Sequence, residues 1–428
     1  MSDDLRRPLR FCMITTFYPP YNFGGDGIFV QRLSNELARR GHVVEVIHCI
    51  DSYALAATPP SDVRADHPAI TVHGLKSALG PLGPFVTHQT GFPLLNGKRI
   101  RRILSAGFDV IHYHNISLVA GPGVLSMGNA IKLYTMHDFW LVCPTHALFR
   151  HNKEPCPEPS GCLTCTLGHR RPPQLWRYSD LLPNALQHVD AFIAPSLTSQ
   201  RKHEQMGLRG RIEHIPNFVS LTDAADPRSV EPEGRSPRRP YFLYVGRLER
   251  LKGLHTIIPT FQRDGAPALW IVGTGTEEAS LRAMTRDHDN IRLLGHRSSR
   301  ELATLYHDAV AVLYPSANFQ LGVAPTSVSG GQGAPLVIME AFSQGTPVIA
   351  SRMGSVPILL AQTGGGLAYS SEQELQAAMQ RLLDDPAQRQ EIGRRARDAC
   401  RRMWTAEAHL GRYFSLIDEI ASRRSRER

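Results

Sequence analysis

The sequence predicts an α/β protein made of two doubly wound domains, and three observations carry that prediction. Short apolar runs ending in glycine-containing turns alternate with segments of helical periodicity along nearly the whole chain, the pattern of parallel strands joined by crossover helices. At 428 residues the chain is too long for one ordinary domain of about 150 residues. Between residues 220 and 240, four prolines and interspersed charges interrupt all periodicity, as a linker does. The expected division is therefore a first domain at 1–220, a linker at 221–240 and a second domain at 241–404, with a final helix at 405–428.

Composition narrows the class. Hydrophobic residues make up 42% of the chain and charged residues 20%, as in a globular protein with a large core. No apolar run approaches the roughly 20 residues needed to span a bilayer. The opening, MSDDLRRPLRFCMITT, has no h-region with a small-residue cleavage site, so the expectation is a cytoplasmic protein. Lys and Arg outnumber Asp and Glu by 48 to 39, an excess that suits nucleic acid, anionic lipid or phosphate-bearing substrates. No nucleic-acid motif accompanies it, and no nucleic-acid partner is expected. The densest basic run, Lys98-Arg99-Ile100-Arg101-Arg102-Ile103-Leu104, reads either as a solvated helix face or as an interfacial helix touching an anionic membrane from its inner side.

In chain order, residues 10–16 read as a buried strand, 28–40 as an amphipathic helix closed by Gly41, and 43–48 as the second strand. Between the first strand and that helix lies FYPPYNFGGDG. It is not GxGxxG; Gly24-Gly25 is either a tight turn needing positive φ or a loop where a ligand approaches the backbone closely. Residues 108–114 form another strand, 117–127 a helix, and 131–136 a strand ending in His137-Asp138-Phe139-Trp140. A histidine at a strand's carboxyl end in an open parallel sheet faces the ligand crevice, whereas a lone histidine elsewhere is more often a packing residue. Residues 175–188 read as a helix, 191–194 as a strand, 198–206 as a helix and 211–216 as the last strand of this half.

Four of the seven cysteines, Cys143, Cys156, Cys162 and Cys165, fall within 23 residues of a loop at 143–172 that is interspersed with proline, glycine and histidine. Two readings stay open. Four thiolates complete a tetrahedral structural zinc site, which a cytosolic compartment favours over disulfides; or the cysteines, free or paired, stiffen a long lid. CLTC is the lone CxxC pair.

The second domain begins YFLYVGRLERLKGLHTII. Its strand 241–245 ends at Gly246 and a helix follows Gly253, so Arg247 and Lys252 flank a loop at the strand's carboxyl end and can converge on one anion. As mere surface bases at a helix start they would oppose the helix dipole. Strands 268–272 and 291–294 run into Gly273-Thr274-Gly275 and Gly295-His296, loops that could also be simple turns, and 310–314 leads to Pro315-Ser316. The stretch from Gln332 to Ser351, QGAPLVIMEAFSQGTPVIAS, is loop, helix, turn and buried strand. Its helix starts at Leu336-Val337 and stops at Gly345. Free N–H groups at such a start favour phosphate, and Glu340, about one turn inside, can accept two ribose hydroxyls; taken alone, Glu340 is also a helix-start charge that favours the dipole. MGSVPILL and GGGLAY complete the strand set. Helices at 372–383 and 387–402 follow, broken at Pro386, and a last amphipathic helix runs from Trp404 to about residue 421, leaving SRRSRER as a frayed tail.

These motifs resemble the fourth sequence family of glycosyltransferases, retaining enzymes of the GT-B fold. The family signature is Glu, seven residues, Glu, then small residues, Gly, x and Pro-Val-Ile-Ala; counted back from Glu340, its first position is Gln332, so the first Glu is replaced. The resemblance implies two facing doubly wound Rossmann-like domains with a cleft between them and a final helix crossing back to the first. It implies that Glu340 contacts the nucleotide ribose, that Gln332 stands at the donor sugar, and that Arg247 and Lys252, in Gly-Arg-Leu, three residues, Lys-Gly, neutralise the diphosphate with the helix start at Leu336 and Val337. By the same resemblance Gly273, Gly295 and His296 hold the nucleoside, His137 in YTMHDFWLVCP contacts the donor hexose, and Gly24 and Gly25 face diphosphate and acceptor. No metal is required at the leaving group, because Arg247, Lys252 and helix-start amides replace it. Residues 317–331 are an insertion relative to the family; Gln320 is a second place for the missing Glu, although spacing favours Gln332.

The expected function is transfer of a hexose, with retention, from a nucleotide diphosphate sugar to a glycan or lipid-linked acceptor in cell-surface polysaccharide synthesis, with no catalytic cofactor. The rival is a nucleotide-sugar-binding protein with weak or no transfer, because Gln332 is neutral, although it still hydrogen-bonds sugar hydroxyls.

Overall fold

Buried apolar runs and the helices between them build two separate parallel sheets. The computed structural model describes residues 7–22, 24–54, 65–146, 148–151, 154–219, 240–315, 335–352 and 356–427. The chain divides into two compact units, Met1–Ile215 with Leu410–Arg428, and Pro216–His409. Among the described residues, no helix is long and apolar enough to cross a membrane.

In the first unit the strands are β1 (Arg10–Ile14), β2 (Val43–Cys49), β3 (Ile70–Leu75), β4 (Val110–Tyr113), β5 (Ile131–Thr135), the short hairpin β6 (Phe149–Arg150) and β7 (Glu154–Pro155), β8 (Ala191–Ala194) and β9 (Ile212–His214). Seven of them form a parallel sheet in the order β3-β2-β1-β4-β5-β8-β9. Its helices are α1 (Gly25–Arg39), α2 (Ile50–Ala54), α3 (Leu82–Thr90), α4 (Gly97–Leu104), α5 (Cys162–Gly168), α6 (Leu181–Leu186) and α7 (Leu197–Gln205). The residues of β1 from Phe11 to Ile14 and all of β4 are buried, as strands covered on both faces must be. Order reverses at β1, with β2 on one side and β4 on the other, so the carboxyl ends of β1 and β4 form a switch point, the place where open α/β sheets take ligands.

The second unit repeats the scheme with β10 (Tyr241–Val245), β11 (Ala268–Val272), β12 (Ile291–Gly295), β13 (Ala311–Tyr314), β14 (Val348–Ser351) and β15 (Gly366–Tyr369), ordered β12-β11-β10-β13-β14-β15 and all parallel. Helices α8 (Leu254–Phe261), α9 (Glu278–Thr285), α10 (Ser299–Asp308), α11 (Leu336–Gln344), α12 (Val356–Thr363), α13 (Glu372–Asp384) and α14 (Pro386–Met403) join and cover these strands. The switch point lies at β10. Pro386 separates α13 from α14 as expected, and Asp385 caps the second helix by accepting from the Gln388 N–H at 2.8 Å.

Four local expectations are corrected. Residues 117–127 do not form an α-helix; only a 3-10 turn at Pro122–Ser126 is present, because Gly121 adopts a left-handed φ of 62° and the Gly123 N–H is drawn onto Gly91 O at 2.9 Å. Residues 175–188 split into a 3-10 turn at Leu175–Tyr178 and α6, with Ser179 extended between them and its hydroxyl donating to Trp176 O at 2.7 Å. VPILL is helical, since Val356, Leu360 and Thr363 recur at helical spacing on a buried face. The last helix, α15 (Ala406–Arg426), starts later and ends later than expected. Trp404 instead closes α14, its N–H donating to Cys400 O at 2.9 Å and its ring lying 6.0 Å from Phe342. The arginine-rich end is held rather than frayed, because Arg424 grips Asp190 with two nitrogens at 3.1 and 2.7 Å. In α4 the side chains of Ile100, Ile103 and Leu104 are buried and the four bases exposed, an arrangement that both readings of that run share.

Candidate active site

In the second unit, the loops leaving β10, β11 and β12 are tied to one another by backbone hydrogen bonds. Gly246 N–H donates to Val272 O at 3.0 Å, Leu248 N–H to Thr274 O at 2.9 Å and Gly273 N–H to Gly295 O at 2.8 Å. The approach is close enough to require glycine: a Cβ on Gly273, whose φ is 135°, would stand 1.9 Å from Gly246 O. Gly295 adopts φ 70° with open space around it, and His296 beside it is exposed.

This tied platform presents Arg247 and Lys252. Arg247 pairs with Glu249 at 2.7 Å, and Tyr244 OH donates to Arg247 O at 2.9 Å, which fixes the loop from below. Lys252 ends a 3-10 turn just before Gly253 and α8. Its ammonium pKa is lowered to about 8, first by burial and then by the neighbouring Arg247 charge, while Glu249 pulls the other way. Two cations beside one carboxylate leave a net positive corner at the carboxyl end of β10.

α11 begins directly after Pro335, and its first hydrogen bonds, Ile338 and Met339 N–H to Pro335 O, leave Leu336 and Val337 as the helix-start amides. Glu340 follows within the second turn. Its carboxylate accepts from Tyr306 OH of α10 at 3.0 Å, a contact that sequence reasoning missed and that orients the oxygen pair. Gln332, Gln320 and the 317–331 insertion lie outside the described residues.

In the first unit, Gly24 caps α1 with φ 105°, Gly25 is the first residue of that helix, and both are exposed. Asn22 Nδ2 donates to Gly24 O at 3.0 Å. His137 lies two residues beyond β5, half-buried, with its Nε2 3.0 Å from His114 Nδ1 and its ring edge-on to Phe29 at 5.6 Å. Burial lowers the His137 pKa to about 4, so the ring is neutral near pH 7 and each nitrogen pairs as donor or acceptor. The His112 ring lies tilted against that of His114, centroids 4.1 Å apart, and His112 shares hydrogen bonds with Thr135 Oγ1 at 2.8 Å and with Tyr413 OH of α15 at 3.0 Å. Sequence reasoning missed these supports, although His112 and His114, two apart on a strand, had to share a face. Asp138 pairs with His146 at 2.8 Å and accepts from the Trp140 N–H at 2.8 Å, and its pKa is lowered despite burial because His146 offsets it.

The four clustered cysteines are all reduced and line one pocket with Leu148, Phe149 and Met206. Among the described residues, no three His, Cys, Asp or Glu groups stand in ligand geometry.

Two family models account for most of the chain: Glycosyltransferase Family 4 over residues 23–223 and Glycosyl transferases group 1 over residues 226–399. Together with two doubly wound units, they define a glycosyltransferase of the GT-B fold. The chain belongs to glycosyltransferase family 4, of the group 1 glycosyl transferases. It is similar to the glycogen synthase of Mycobacterium tuberculosis (strain ATCC 25618 / H37Rv), 29% identical over 411 residues that cover 91% of this chain and 89% of the relative. Among solved structures, it resembles sucrose-phosphate synthase from Thermosynechococcus elongatus, with TM-score 0.69, 19% identity and coverage of 97% and 99% of the two chains. It also resembles Anabaena HepE in complex with UDP and glucose, with TM-score 0.61, 17% identity and coverage of 97% and 99%.

Proposed function

We propose that the protein moves a hexose, with retention and without a divalent cation, from a nucleotide diphosphate sugar to a glycan or lipid-linked acceptor of cell-surface polysaccharide synthesis. The observation that carries this reading is the net positive corner of Arg247 and Lys252 at the carboxyl end of β10, in the same unit as the start of α11 and Glu340. Two cations and helix-start amides supply the charge that a departing diphosphate needs, which is the work a metal would otherwise do. His137, neutral at its low pKa, suits a hexose hydroxyl better than a phosphate. HepE, solved with UDP and glucose, supports a donor of this class.

Glu340 and Gln332 separate the nucleotide and sugar parts of the donor, and calorimetry with a nucleotide sugar and its free nucleotide distinguishes them. Glu340→Ala should weaken both ligands by tenfold or more, as loss of a charge-assisted bond of about 1.5 to 3 kcal/mol requires. Gln332→Ala should weaken only the sugar-bearing ligand, and Gln332→Glu should preserve or raise transfer. Equal losses for both ligands in Gln332→Ala would place that side chain outside the sugar pocket. No turnover of any nucleotide sugar offered with glycan and lipid-linked acceptors would favour the binding-only rival.

We further infer that the protein works in the cytoplasm, at the inner face of an anionic membrane. Support comes from exposed Leu79, Leu82, Phe85, Leu94 and Leu95, which precede the exposed Lys98, Arg99, Arg101 and Arg102 of α4. Each base near an anionic surface contributes about 1 kcal/mol. Sedimentation with phosphatidylglycerol vesicles should therefore fall by roughly 100-fold or more when all four bases become Ala. Wild-type protein that stays in the supernatant at low salt would sink the membrane contact.

A further inference from the structure

The cysteine loop places its four cysteines around one pocket from three pieces of backbone. Cys143 follows the His137–Trp140 turn, Cys156 follows the β6–β7 hairpin, and Cys162 and Cys165 lie three apart on α5, on one face. All four line the same pocket. Three of them make weak hydrogen bonds as thiols. Cys143 Sγ bonds with Thr145 Oγ1 at 3.3 Å, and Cys156 Sγ donates to Glu158 O at 3.1 Å. Cys165 Sγ donates to Phe149 O at 3.8 Å and accepts from the His151 N–H at 3.3 Å, the kind of N–H to sulfur bond that steadies a thiolate. Among the described residues no three of these groups stand in ligand geometry, so metal binding requires the side chains to re-aim about their Cα–Cβ bonds.

A second, independent feature is the cationic wall of this loop. The Arg177 guanidinium packs against the rings of both Trp140 and Trp176, at 5.0 and 4.9 Å from their centroids, and donates to Trp140 O at 2.7 Å and to Gln174 Oε1. The groups whose negative charge would reach it are Cys143, Tyr134, Asp138 and Cys162. Half-buried Arg171 donates to Thr145 O at 3.1 Å and lies within reach of Cys143 and Asp138. Asp138 is a carboxylate within reach of both, and four thiolates around a divalent ion would add a net double negative charge beside them.

We propose that Cys143, Cys156, Cys162 and Cys165 bind one zinc ion as a structural site that fastens the loop at 143–172 to the end of β5, with Arg171 and Arg177 balancing the charge. Binding releases the four thiol protons to solvent and turns the sulfurs to the metal, at the cost of the weak hydrogen bonds of Cys143, Cys156 and Cys165. The same loop carries His146, which pairs with Asp138 at 2.8 Å, so the zinc steadies the turn that carries His137 without touching substrate. This proposal stands apart from the transferase reading, since a metal count does not depend on turnover.

The test uses the full chain, expressed in zinc-supplemented medium and purified without chelator, with metal measured by plasma mass spectrometry. We expect about one zinc per chain, released in step with thiol modification by an organomercurial, and little in Cys162→Ser/Cys165→Ser. Because that variant could fail to fold, the thiol-linked release from the wild type stands as the second measurement. Less than about a tenth of an equivalent of zinc overturns the site. So does iron in place of zinc, a disulfide among the four cysteines, or zinc that remains after all seven thiols are blocked.

Discussion

Lys252→Ala is expected to weaken nucleoside diphosphate binding by about 10- to 150-fold, the equivalent of one charge-assisted bond of about 1.5 to 3 kcal/mol. Arg247→Ala should lose more, because it also strips Glu249 of its 2.7 Å partner and leaves a carboxylate facing the phosphates. Arg247→Ala/Glu249→Gln should recover part of that difference. Calorimetry across pH adds a signature of its own. In the free protein the Lys252 pKa is lowered to about 8, so the ammonium that an anion needs is present below pH 8 and is lost as pH rises through that value. Affinity should be level between about pH 7, where the phosphate is ionised, and pH 8, then fall by up to tenfold per unit. Lys252→Arg keeps its charge and should flatten the profile. Unchanged diphosphate affinity in both alanine variants would remove these residues from the site.

Gly273→Ala should destabilise the second unit by at least about 3 kcal/mol and abolish nucleotide binding with it. Its Cβ would lie 1.9 Å from Gly246 O and 2.9 Å from Gly246 C, so relief requires the β10 and β11 loops to part, and Arg247 rides on the first of them. Gly295→Ala is the control. At φ 70° with nothing within 4 Å of the new methyl, it should cost only the left-handed backbone term of about 1 to 2 kcal/mol. Urea unfolding of the two variants separates the contribution of close approach from that of backbone angle. Equal losses would mean that the loops are not held against each other.

Where apolar periodicity and local punctuation agreed, the elements were legible. Strands at 241–245 and 268–272 coincide with β10 and β11, and the helix read from Leu336 to the Gly345 stop is α11. The motif residues share this property, because strand, loop and helix start are consecutive in sequence and place Arg247, Lys252, Gly273 and Glu340 by local geometry alone. Reading failed where distant backbone competed with local preference: Gly91 captures Gly123 and dissolves the helix at 117–127, and Asp190 captures Arg424 from 234 residues away and keeps the chain end helical. The partners that tune the site were equally hidden. Tyr306 reaches Glu340 across 34 residues and His114 reaches His137 across 23, and the depressed pKa values of His137 and Lys252 follow from burial. By itself the sequence determined two doubly wound domains, the loops at the strand ends and the family, because those depend on short-range periodicity and spacing. The tertiary structure alone decided which side chains support the site and how they are charged, because hydrogen bonding and desolvation depend on distances that only the folded chain sets.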